Sequence, residues 1–252
     1  MRRSFRRDSR GQVIIITGLL VALLLLSTAV CVIEMSKFTP KADETPQTVT
    51  YVGLEANLRN AVISGLANVT GGGNASVLAM DLDLLKAAIL SHSYQTMFTL
   101  DYSLQNDAPY MQGLWVSWGN TSGVSGASAS FTVDSQNAQG TSKAQYAINV
   151  TTQVTASGGF VQLNGTAKQV SLSVAVFNEG NAALTETMNL RFFNVTEWVD
   201  VTAPVVTDFG NGTYAVTFFA DGTPVDEPLY VSAECVDMRG ISVGVNIVCN
   251  RV

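Results

Sequence analysis

Three features of this 252-residue chain predict an α+β fold with a transmembrane helix at the N-terminus, short juxtamembrane helices and then an antiparallel β-sandwich ectodomain. The first is a 21-residue run without a charge, residues 13 to 33, placed directly behind Arg2, Arg3, Arg6, Arg7 and Arg10. The second is a pair of segments whose apolar residues recur three or four apart. The third is a change, from about Tyr110 onward, to alternation of apolar and polar residues.

As an α-helix the uncharged run is about 30 Å long, the hydrocarbon thickness of a bilayer. The basic cluster before it favours the cytoplasmic side, so everything after Ile33 is expected outside the cell. A cleaved secretory signal is the competing reading, with Ser27-Thr28-Ala29 as its small-residue site. The run is long for that, and Leu19, Leu20 and Leu23 to Leu26 favour retention in lipid. A twin-arginine signal, suggested by Arg2-Arg3-Ser4-Phe5, usually carries a weaker apolar segment, and Val30 before Cys31 does not fit a lipoprotein site. The expected layout is a basic cytoplasmic tail (1–11), the membrane helix (12–37), a linker and helical region (38–109), a β-rich region (110–167) and a β-sandwich (168–252).

The first helix after the break at Thr39 to Pro46 is predicted to start with Thr45 as cap and Pro46 as first helical residue, because that proline needs no helical hydrogen-bond partner. Its stripe is Tyr51, Leu54, Leu58, Val62, Leu66 and Val69, and Gly71-Gly72-Gly73 ends it. A second helix is predicted from Ser76 or Asp81 to the mid-90s, burying Leu82, Leu85, Ala88 and Ile89. Asp81 and Asp83 are expected near its positive end, a bland role that outweighs any part in glycoside hydrolysis.

Strand positions predicted to face inward are Phe131 and Val133; Tyr146, Ile148, Val150 and Val154; Val170, Leu172, Val174 and Val176; and Tyr214, Val216 and Phe218. Turns are predicted at Gly158-Gly159, Asn164-Gly165, Asn178 to Asn181 and Asn211-Gly212. The last two strands, 229–236 and 241–249, read as a hairpin about Asp237-Met238-Arg239-Gly240. That places Cys235 beside the turn and Cys249 at the far end, about 20 Å apart at roughly 3.4 Å per residue, too far for a disulfide. Both are expected to be buried free thiols.

Charge narrows the partners. Beyond Gly11 the chain carries nineteen acids and nine bases, so a polyanion is repelled and nucleic-acid binding is not expected. His92 is the single histidine, expected in a helix, and neither a nucleophile elbow nor a zinc-ligand cluster accompanies it. Asp221, Asp226 and Glu227 lack the spacing of an EF-hand, and Gly71 to Asn74 lacks the lysine of a phosphate loop. No catalytic residue, cofactor or metal site is expected, and the chain is not expected to be an enzyme. Trp115 and Trp118 offer a sugar-stacking surface, but three residues apart on a strand they face opposite sides. Seven Asn-x-Ser/Thr sequons, at Asn68, Asn74, Asn120, Asn149, Asn164, Asn194 and Asn211, all follow the membrane run and are candidate glycosylation sites; the same residues also suit turns and solvent-facing strand positions.

Arg10-Gly11-Gln12 before the apolar run resembles the leader of archaeal type IV pilin-like proteins, which implies cleavage between Gly11 and Gln12 with the helix retained. Ile16 stands where many pilins place a glutamate. The last 85 or so residues, with Val170 to Phe177, Asn178-Glu179-Gly180-Asn181, Asp208 to Tyr214 and the terminal hairpin, resemble immunoglobulin-like modules common on archaeal and bacterial surfaces. The whole layout resembles uncharacterised archaeal single-pass surface proteins, which implies a membrane-anchored protein with a structural or adhesive role. Its expected partners are membrane lipid through residues 13–33 and cell-envelope proteins, glycans or its own copies. A pilin-like filament subunit is the main alternative, and a secreted carboxylate-based hydrolase a remote one.

Overall fold

The computed structural model describes residues 46–92, 97–137 and 140–252, and Leu54–Val252 form one compact unit. Gly11 and Gln12, the run 13–33 with Cys31, the linker before Pro46 and the side chains of Tyr51 and His92 lie outside the described residues. Among the described residues no helix is long and apolar enough to cross a membrane. The described chain is a β-rich α+β fold of two helices and twelve strands.

Helix α1 spans Pro46–Thr70 and α2 spans Val77–His92. Leu54, Leu58, Val62 and Leu66 of α1 are buried as the stripe predicts. Gly65 lets α2 approach, since a Cβ there would stand 2.8 Å from Leu78 Cδ1. The second helix starts at Val77, nearer Ser76 than Asp81. Asn74 organises that start, its Oδ1 accepting from the Ser76 amide at 3.0 Å and its carbonyl from the Val77 amide. The buried positions are Leu78 and Leu82, with Leu85 and Ile89 half-buried, while Ala88 is exposed. Asp83, well inside the helix, accepts from the Tyr102 hydroxyl at 2.8 Å instead of starting the helix.

Strands β1 (Met97–Leu104), β2 (Leu114–Trp118) and β3 (Ser122–Asn137) precede β4 (Gly140–Gln162), and β3 and β4 pair along sixteen residues of register. One face of this part buries Leu100, Phe131, Val133, Ile148 and Val150, and Tyr102 on the same face donates to the Ala79 carbonyl of α2. Tyr146 on this face is half-buried.

The 23-residue β4 then changes partners. Its second half pairs with β5 (Lys168–Asn178) and begins one layer, β4-β5-β10-β9, with β10 at Thr213–Ala220 and β9 at Val205–Asp208. The short β6 (Asn181–Ala182) pairs with β5. The other layer is β8-β7-β11-β12, made from β7 (Thr185–Phe193), β8 (Trp198–Asp200), β11 (Leu229–Asp237) and β12 (Ser242–Arg251). The layers pack face to face: Val154, Val170 to Val176 at alternate positions, Tyr214, Val216 and Phe218 share one cluster with Leu190, Phe192, Val231, Val245 and Ile247. The Phe192 and Phe218 rings meet across the gap, centroids 6.4 Å apart. They join at one edge, where Asn250 and Arg251 run parallel to Gly159 and Phe160.

Gly158-Gly159 is not a turn. Both lie inside β4, where the sheet crowds them: a Cβ on Gly158 would stand 2.6 Å from the Ser171 carbonyl, and one on Gly159 would stand 3.0 Å from that of Asn250. The other predicted turns form. Gly165, Gly212 and the pair Glu179-Gly180 all take positive φ. Cys235 lies opposite Val243 and Cys249 opposite Leu229, so the thiols occupy opposite ends of the hairpin, buried and free. Burial pushes the Cys235 thiol up to about 12, helped by Glu234, and that of Cys249 up to about 11.

Candidate functional site

The predicted sequons scatter over the unit instead of converging. Asn68 lies on α1, Asn74 before α2, Asn120 after β2, Asn149 on β4, and Asn164, Asn194 and Asn211 in turns. Six are exposed and Asn194 is half-buried. In three of them the asparagine oxygen accepts from the amide two residues on: Ser76 at 3.0 Å, Thr196 at 3.1 Å and Thr213 at 3.1 Å. This local turn satisfies the backbone whether or not a glycan is attached. Asn149 Oδ1 accepts from the Tyr110 hydroxyl at 3.0 Å, and the Tyr110 ring meets Trp115 edge-on.

The acids between β10 and β11 do not gather either. Asp226 pairs with Arg251, and Glu227 offers its backbone carbonyl to Lys168 Nζ at 2.6 Å. Lys168 is buried under the Phe160 ring. Burial lowers the pKa of its ammonium, with Glu227 and Asp226 opposing that shift. Among the described residues no three His, Cys, Asp or Glu side chains stand close enough to hold a metal ion. An open depression of about 310 Å³ lined by Thr155, Ser157, Ser173 and Ala175 gathers neither acids nor tryptophans.

Two constellations emerge that the sequence reading did not assemble. The first is a polar joint at the β11–β12 turn. Asp237, fully buried, accepts from Thr152 Oγ1 at 2.9 Å, from Arg239 Nε at 2.8 Å and from the amides of Arg239 and Ile241. Arg239 also donates to Glu179 at 2.7 Å, to the Thr151 carbonyl and to Thr152. Arg59 on α1 approaches the other Glu179 oxygen at 3.5 Å. Burial works against the charge of Arg239, but its bonds to Glu179 and Asp237 outweigh that and hold the guanidinium pKa above its ordinary value. Thr70 adds a link from α1, its hydroxyl accepting from the Ser242 amide at 3.1 Å.

The second is the outer face of the β8-β7-β11-β12 layer. Trp198 lies opposite Phe193, Tyr230 opposite Val248, and the β7–β11 register sets Phe193 beside Tyr230. Because their strand neighbours Phe192, Val231 and Ile247 point into the core, these four form one outward row across the strands. Trp198 is 45%, Tyr230 53% and Val248 39% exposed, and the Phe193 and Trp198 rings are 5.7 Å apart. The next row is polar: Asp200, Arg191, Ser232 and Asn246. Beyond it stand Asn189, Glu234 and Gly244. Trp118 lies over Gly244, so close that a Cβ there would meet its ring at 2.8 Å, and is fixed by donating to Ser125 Oγ at 3.0 Å. Trp115, paired one residue out of phase with Trp118, takes the opposite face of β2, as its spacing predicts.

Comparison of the chain with protein-family models, with curated proteins and with solved structures returned no match in any of the three. The functional argument therefore rests on the chemistry of these two constellations and on the sequence pattern.

Proposed function

We propose that this chain is a membrane-anchored cell-surface protein with a structural or adhesive role, held by residues 13–33 with its N-terminus in the cytoplasm and the unit from Leu54 onward outside. The observation that carries the proposal is the outer face of the β8-β7-β11-β12 layer. A row of exposed aromatic side chains beside a polar band on one sheet face supports a recognition surface. The strand order β4-β5-β10-β9 against β8-β7-β11-β12, with the edge strands of the two layers meeting in parallel, supports an immunoglobulin-like β-sandwich. Recognition then runs through sheet faces and loops, and the exposed sequons suit an exported glycoprotein.

The test is topological. Protease added to intact cells should remove a C-terminal tag and leave a tag at Met1 intact. The reverse pattern, or protection of both tags, overturns the proposal. A pilin-like subunit is the second reading, favoured by Arg10-Gly11-Gln12 alone, and mass spectrometry of the mature N-terminus separates the two, since a start at Gln12 requires leader cleavage.

A further inference from the structure

The described cations are almost all spent on partners. Arg59, Lys86, Lys143, Arg239 and Arg251 each meet a carboxylate, and Lys168 meets a carbonyl. Arg191, exposed in the middle of β7, is the exception: among the described residues it has neither an ion pair nor a hydrogen bond from its side chain. Its cross-strand neighbours Asp200 and Ser232, and beyond them Asn246, Asn189 and Glu234, likewise have no side-chain hydrogen bond among the described residues. This unspent polar band lies between two sets of rings, the Trp198-Phe193-Tyr230 row on one side and Trp118 on the other.

We propose that this face is a carbohydrate-binding site for a neutral polysaccharide, the recognition surface of the adhesive role on which this inference rests. A pyranose ring presents polarised C–H groups on its faces and hydroxyls around its rim. The negative faces of Trp198, Tyr230 and Trp118 match the first. The rim needs donors and acceptors together, and the band supplies a donor-only guanidinium, two acceptor-only carboxylates, and Ser232, Asn246 and Asn189, which do both. One positive and two negative groups offer no net attraction to a polyanion. An apolar protein surface or a lipid would strip water from Arg191, Asp200 and Glu234 without replacing its hydrogen bonds, which is costly. Four strands at about 4.8 Å spacing make a row about 14 Å long, room for an oligosaccharide laid across the sheet. The site is flat, so it suits a stretch inside a polymer better than a chain end.

Affinity electrophoresis of the full chain, in a detergent without a sugar headgroup, tests this through gels containing β-glucan, mannan, xylan, galactan or glycol chitin, with a polyuronate as the charged control. At least one neutral polymer should retard the protein. Trp198→Ala and Tyr230→Ala should each weaken that retardation tenfold or more, Arg191→Met should weaken it too, and Trp115→Ala, on the opposite face, should not. Absence of retardation in every neutral gel, retardation by the polyuronate alone, or retardation that survives both Trp198→Ala and Tyr230→Ala would overturn the site. So would self-association abolished by Trp198→Ala, which would make a second copy the occupant. Cells whose adhesion depends on this chain yet ignores Trp198→Ala would refute the carbohydrate site and leave the adhesive reading standing. A protected C-terminal tag in the protease experiment removes the adhesive reading instead.

Discussion

Arg239 and Arg191 lie in the same layer and have opposite fates. Arg239, at the β11–β12 turn, donates to Asp237, Glu179, Thr151 and Thr152, and its side chain is 19% exposed. Arg191, mid-strand on β7, is exposed with no side-chain partner among the described residues. A saturated network holds segments together: here α1, the middle of β4, the β5–β6 turn and the β11–β12 turn. An exposed face keeps its polar groups in water, which a ligand's hydroxyls can replace. The contrast predicts that the first region governs stability and the second governs binding.

The hardest blow to stability should come from Asp237→Ala. It leaves Arg239 with Glu179 as its carboxylate partner, takes the acceptor from the Thr152 hydroxyl and orphans the amides of Arg239 and Ile241 in a mostly buried place. Breaking a buried pair from one side costs about 3–5 kcal/mol. Chemical denaturation followed by tryptophan fluorescence should show that loss, and a change below about 1 kcal/mol would mean the joint is solvated and interchangeable with the outer face.

Of comparable size is an alkaline loss from the core between the layers. The folded thiols of Cys235 and Cys249 titrate at about 12 and about 11, above their ordinary value of 9.0. Above pH 9 the unfolded chain therefore loses protons that the folded chain keeps, and stability falls by about 1.4 kcal/mol per pH unit per thiol until the folded groups titrate. The stability they contribute is fully present below pH 9. Tyr102, raised to about 12 by burial and by Asp83, adds the same sign above pH 10. Cys235→Ala with Cys249→Ala should flatten the slope between pH 9 and 11, and an unchanged slope would assign it elsewhere. In the native protein both thiols should resist a thiol reagent with or without prior reduction.

Gly158→Ala should cost about 1–3 kcal/mol, because the new methyl meets the Ser171 carbonyl and Leu172 across the sheet. This residue also marks the limit of what the sequence reveals. Gly-Gly reads as a turn from composition, and only its closeness to β5 and β12, set by tertiary pairing, makes it a strand. The inward positions from Val170 to Val176 and the Cys235/Cys249 geometry were legible because alternation is local. The joint was not, since it joins Arg59, Thr152, Glu179 and Asp237, far apart in the chain. The aromatic row had a partial signal: Phe193, Trp198, Tyr230 and Val248 each stand out of phase with an inward neighbour, but their union needed the register of four strands.

The smallest expected effect on stability decides whether the comparison is sound. Arg191→Met keeps much of the length of the side chain and removes only its charge and donors. Because those donors have no partner among the described residues, nothing in the fold is lost with them, and the cost should stay within about 0.5 kcal/mol, as for a surface position away from any network. Slight stabilisation is also consistent, since nothing buried is left unpaired. The same change should still weaken retardation in the polysaccharide gel. A variant that melts like the parent and binds less well separates recognition from folding at a single residue. A loss of 2 kcal/mol or so would instead show that Arg191 is spent in the native state, on Asp200 or Glu234 beside it, and would make the outer face a second joint.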